Sequence, residues 1–63
     1  MDWQLVLKSM IGDEQAAQAK YSLAAAQARD NELEAIFIQL HDEEVVHQHI
    51  LEGWMDKLEK SGK

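Results

Sequence analysis

Glu44-Val45-Val46-His47 places one carboxylate and one imidazole three residues apart, inside a run that is otherwise apolar at heptad spacing. Positions 33, 37, 40, 44, 47, 51, 54 and 58 hold Leu, Phe, Leu, Glu, His, Leu, Trp and Leu. Steps of four and three residues are the stripe of a helix that packs along one face. Residues three apart lie side by side on a helix, so Glu44 and His47 project together, as a donor pair that suits a transition metal. They are the only two interruptions of the stripe, which Ile36, Val46 and Ile50 widen.

Working back toward the start, the same pattern recurs. Positions 3, 7, 10, 14, 17, 21, 24 and 28 are Trp, Leu, Met, Glu, Ala, Tyr, Ala and Ala. Glu14 is the odd one out, and Leu5, Val6 and Ile11 broaden the stripe near its start. Asp2 reads as an N-cap. Asn31 reads as the next one, with Glu34 three residues on completing a capping box. The expected elements are helix 1 over about 3–29 and helix 2 over about 32–60, with Ser61-Gly62-Lys63 as a frayed end. Glycine costs roughly 1 kcal/mol against alanine inside a helix. Gly12 is therefore either the mark of a close helix approach or a simple loss of packing, and Gly53 is expected to interrupt helix 2.

The connection Arg29-Asp30-Asn31 is so short that the two helices must fold back antiparallel. The expected fold class is all-α, one helical hairpin over residues 1–63. A turn near residue 30 sets residue i opposite roughly residue 60 − i. Glu14 then stands level with the turn of helix that carries Glu44 and His47.

Composition narrows the rest. Sixty-three residues without cysteine have no disulfide framework and no cysteine-based metal site. A chain this small needs association or a metal to be stable. Twelve acidic residues against six basic ones give a net charge of −6, which repels nucleic acid and anionic lipid and attracts cations. Neither a secretory leader nor an apolar run of about 20 residues is present. The expected location is the cytoplasm or an internal compartment, with no nucleic-acid or membrane partner.

Three ionisable groups at one height in an apolar seam need a common partner, because an unpaired carboxylate is costly to bury. Two helices also leave one side of their seam open, and two hairpins together close a four-helix core. A homodimer doubles the set to four carboxylates and two imidazoles around a two-fold axis. Two divalent cations balance the four charges. Oxygen-rich ligation with one nitrogen per ion suits iron or manganese better than copper or zinc.

Glu14 with Tyr21 on helix 1, and Asp42-Glu43-Glu44-Val45-Val46-His47 on helix 2, resemble the ligand helices of the ferritin-like superfamily, of the rubrerythrin type. The likeness covers nearly the whole chain. With two helices rather than four, it is most similar to the half-ferritins called encapsulated ferritins. The resemblance implies a ferritin-like four-helix bundle and a ferroxidase centre of Glu14, Glu44 and His47 from two chains. Glu44 would be the bridge, and Glu14 and His47 the terminal ligands. It also implies Fe(II) oxidation by O₂ or peroxide for iron storage and detoxification, two irons per dimer, a ring of dimers, and an encapsulin-type protein nanocompartment around it.

The pattern departs from that family in two places. A targeting tail follows the hairpin in encapsulated members and is not seen before Lys63. Asp13 matches the family's acidic path for incoming iron, but Ala16 and Lys20 stand where an acid and an aromatic are expected. Asp42 or Glu43 would then guide cations inward.

Each singled-out residue also has a plainer reading. Glu14, Glu44 and His47 can be a salt-bridge network that fixes register, making the chain a non-enzymatic assembly module. Tyr21 is either a core tyrosine or a hydrogen-bond partner that steadies a ligand carboxylate. His41 and His49 fall off the seam and read as solvated, although His41 lies one turn from Glu44 and would bind metal weakly. Glu43 and Asp42 read as surface charges, and Trp3 and Trp54 as packing or association residues. A rubrerythrin-like peroxide reductase is the remaining enzymatic alternative, but the cysteine-rich donor centre of that family has no counterpart here.

Overall fold

The computed structural model describes residues 1–61, and within them the chain is two helices, α1 (Trp3–Gln27) and α2 (Asn31–Ser61). The fold is all-α. The helices pack along their whole length into a rod 50 Å long and 14 Å by 13 Å across. Among the described residues no helix is long and apolar enough to cross a membrane. Of the expected frayed end, Ser61 closes α2, while Gly62 and Lys63 lie outside the described residues.

Asp2 caps α1 as expected, its Oδ1 accepting from the Leu5 N–H at 3.2 Å. The far end differs from expectation by two residues. α1 stops at Gln27, and Ala28 turns extended at φ −68°, ψ 134°. The cap of α2 is consequently Asp30 and not Asn31. Asp30 Oδ1 accepts from the N–H of Glu32 at 2.7 Å and of Leu33 at 3.4 Å, and its carbonyl accepts from the Glu34 N–H at 2.9 Å. Asn31 is already helical. A carboxylate at this place also meets the positive end of the helix dipole, which a neutral Asn side chain does less well.

Gly12 marks no close helix approach, which leaves its plainer reading, and Gly53 does not interrupt α2. A methyl group at either would meet nothing within 4 Å, so no close helix approach exists there. α2 runs through Gly53 unbroken.

The heptad stripes split between two jobs. Leu7, Glu14 and Tyr21 on α1, with Phe37, Glu44, Leu51 and Leu58 on α2, are all half-buried in the contact between the helices, as is Ala28 just past the end of α1. Tyr21 and Phe37 stack there with ring centroids 6.5 Å apart. The alternate positions, Trp3 and Met10 on α1 and Leu33, His47 and Trp54 on α2, stay exposed, and Ile36 and Ile50 beside them are exposed too. No described residue is fully buried. Ala17, Ala24 and Leu40 of the same rows are half-buried, so the two helices leave only part of each stripe uncovered. Leu5, which was expected to widen the seam, is exposed as well.

Candidate metal centre

α1 and α2 bring Glu14, Glu44 and His47 together. One candidate ligand atom from each lies within 4.8 Å of the others. This is the one group of at least three His, Cys, Asp or Glu side chains among the described residues that is so arranged. His47 Nδ1 lies 2.8 Å from Glu44 Oε1 and 3.3 Å from Glu14 Oε1. The first contact follows from the three-residue helical spacing. The second joins residues 33 apart in sequence and depends on the register of the hairpin.

An ionised carboxylate only accepts hydrogen bonds, so the His47 Nδ1–H donates to both. The two glutamates are mostly shielded, at 23% and 20% side-chain exposure, while His47 is 55% exposed. The trio is thus open on one side. Its carboxylates sit in the seam and its imidazole stands at the mouth, next to an open recess lined by Met10, Ile50 and Leu51.

The His47 pKa is raised above the usual 6.5. Partial desolvation of the ring is the largest single influence and pulls it down. The hydrogen bonds to Glu44 and Glu14, together with the charges of both carboxylates, outweigh that pull.

The other singled-out residues are placed differently. The Tyr21 ring packs on Phe37, and no hydrogen bond joins it to the trio among the described residues. His41 was expected to be solvated, but it is partly shielded at the opposite edge of the seam, where its Nδ1 pairs with Asp42 Oδ1 at 3.1 Å. Asp13 and Glu43 are exposed, and Glu43 accepts from Gln39 Nε2 at 3.2 Å. His49 is exposed as expected.

Two residues next to the trio escaped the sequence reading. Gln18 Nε2 donates to Gln48 Oε1 at 2.7 Å across the helices, and Gln48 Nε2 donates to Glu52 Oε2 at 2.9 Å. Each glutamine lies four residues beyond a glutamate of the trio, Gln18 after Glu14 and Gln48 after Glu44. That repeated spacing was the available signal.

Two carboxylates and one imidazole make a donor set for a divalent cation of the iron or manganese kind. Three protein donors on an open face leave room for further ligands from a neighbour or from water. Comparison with known proteins adds no family to this: no family model, curated protein or solved structure matches the chain.

Proposed function

We propose that this chain is a ferritin-like iron-oxidising module whose site is completed when two hairpins pair. The observation that carries the reading is the convergence of Glu14, Glu44 and His47 at one height, with His47 on the uncovered face. Pairing through that face joins two such half-sites. Four carboxylates then match the charge of two Fe(II) ions, which is the substrate this donor set suits.

Glu14, Glu44 and His47 bind and orient the substrate ions, and the apolar flanks Met10, Ile50 and Leu51 limit water around them. Each Fe(II) gives up one electron. Two electrons and two protons reduce O₂ to hydrogen peroxide, or hydrogen peroxide to water. The carboxylates favour Fe(III) over Fe(II), because hard anionic oxygen stabilises the higher charge. His47 must lose its proton to act as a ligand, so binding exchanges that proton for a cation between the same two glutamates.

A second reading is favoured by the hydrogen bonds themselves. His47 held at 2.8 Å and 3.3 Å by Glu44 and Glu14 is a self-sufficient device for fixing hairpin register. Native mass spectrometry before and after anaerobic Fe(II), followed by admission of O₂ with absorbance monitoring, separates the two. A gain of two irons per pair of chains and rapid oxidation are expected. No uptake with an unchanged oligomer overturns the ferroxidase reading and leaves the register device.

A further inference from the structure

We propose that the recess beside the trio is a second metal site, which takes a soft monovalent ion of the Cu(I) class between Met10 Sδ and His47 Nε2. It does not depend on the iron reading, which concerns the other nitrogen of the same ring.

His47 is held by one nitrogen only. Its Nδ1 faces Glu44 Oε1 at 2.8 Å and Glu14 Oε1 at 3.3 Å. In a neutral imidazole one nitrogen carries the proton and the other a lone pair. Two carboxylates at Nδ1 draw the proton there, and the lone pair then belongs to Nε2. No hydrogen bond among the described residues engages Nε2. A ligating imidazole ordinarily donates its second N–H to a carboxylate, which fixes the tautomer and makes the metal-binding nitrogen more basic. His47 already has that support, with Glu44 and Glu14 as the acceptors.

The recess decides which ion suits Nε2. His47 and Met10 both line it, beside Ile50, Leu51 and Glu14. Met10 lies one helical turn before Glu14 on the same face of α1 and is 44% exposed. Its thioether ends an unbranched chain with three rotatable bonds, so the sulfur adapts to an ion on the ring beside it. Thioether sulfur selects Cu(I), whereas carboxylate oxygen suits harder divalent ions. Both donors are neutral, and the apolar flanks Ile50 and Leu51 tolerate a single positive charge better than a double one.

The two sides of this imidazole therefore serve different chemistry. A neutral ring has one lone pair to give, so an ion at Nε2 and an ion at Nδ1 exclude each other. A soft ion in the recess keeps the Nδ1–H on the glutamates and denies His47 to a divalent cation.

Ag(I) is a redox-inert stand-in for Cu(I). Titrated into the full chain without chloride, it is followed by NMR through the methyl signals of the three methionines and the ring signals of the three histidines. The first equivalent should move the Met10 methyl and the His47 ring and leave Met55, His41 and His49 in place. Met1, 88% exposed and next to the terminal amine, is the competing soft site and should respond only later. Met10→Leu conserves volume and apolar character, so helical content should hold. Its Ag(I) affinity should fall at least ~10-fold, the least that loss of even a supporting partner costs a metal site. Met55→Leu should change nothing. A first equivalent at Met1 or Met55, a His47 ring that does not move, or an unchanged affinity in Met10→Leu overturns the proposal. Fe(II) takes no part in the titration. A protein that binds Ag(I) in this way but fails to oxidise iron keeps the soft site and loses only the ferroxidase reading.

Discussion

Glu14 and His47 lie 33 positions apart in the chain yet meet at 3.3 Å across the hairpin. The contact ties the register of the two helices to the protonation of one imidazole. In the metal-free protein the raised His47 pKa means that the native state holds this proton more tightly than the unfolded chain.

Between the unfolded value of 6.5 and the raised native value, the folded chain therefore binds more protons, and unfolding becomes easier as pH rises. The stabilising contribution is full below 6.5 and is lost as pH climbs through the native pKa. Urea midpoints of metal-free protein should fall as pH rises above 6.5 through the native pKa. The imidazole signal of His47 should titrate above those of a free histidine. With a bound divalent cation the trend should reverse, because the metal competes with this proton. The same slope with and without metal would mean that His47 is not a ligand.

Glu44 hydrogen-bonds His47 and is among the most shielded groups of the trio. Glu44→Ala removes a carboxylate donor but little of the helix contact, and alanine favours helix. Helical content should persist while Fe(II) oxidation falls by at least ~100-fold, the upper end of what loss of mere supporting partners costs a metal site. In metal-free protein the same change relieves like-charge repulsion but removes the 2.8 Å hydrogen bond to His47, so the change in thermal stability should be small. A collapse of the fold with no change in metal uptake would instead fit a register device.

The heptad stripes and the short connection made the hairpin legible, and with it the meeting of Glu14 with Glu44 and His47. A helix repeat and a turn position together leave little freedom in register. Other features depended on balances that a single sequence hides. Asp30 and Asn31 are both good caps, and the choice fell to the extended backbone of Ala28. Gln18 and Gln48 look like surface residues at the edge of a stripe until a partner helix brings them to 2.7 Å. That two helices leave one side of the seam open was legible too, but which apolar positions stay exposed, Trp3, Met10, Leu33 and Trp54, was not, because periodicity marks a face and not how many neighbours cover it.

Asp30 accepts two backbone N–H groups at the start of α2, so Asp30→Ala should cost ~1 kcal/mol, the usual worth of an N-cap. Asn31 is a helical residue with an exposed side chain, and Asn31→Ala should be neutral or slightly stabilising. Thermal melts of the two variants side by side decide which residue is the cap. Equal losses, or a larger loss at position 31, would contradict the assignment.

Gln18 and Gln48 form the polar clasp next to the trio, and the two side chains are partly shielded. Gln18→Ala leaves Gln48 Oε1 without its donor, and Gln48→Ala removes partners from both Gln18 and Glu52. Because a neutral hydrogen bond contributes about 1 kcal/mol net, the double-mutant cycle should yield a coupling of that size. Gln18 lies one turn from Glu14 toward the connection and Gln48 one turn from Glu44 toward the open end, so the clasp bridges the helices diagonally and its loss should also loosen the register on which the trio depends. Each single variant should therefore weaken metal binding by several-fold with no ligand removed, as the loss of an orienting contact does. A coupling near zero would show that the glutamines are independent surface groups, and metal affinity should then be unchanged.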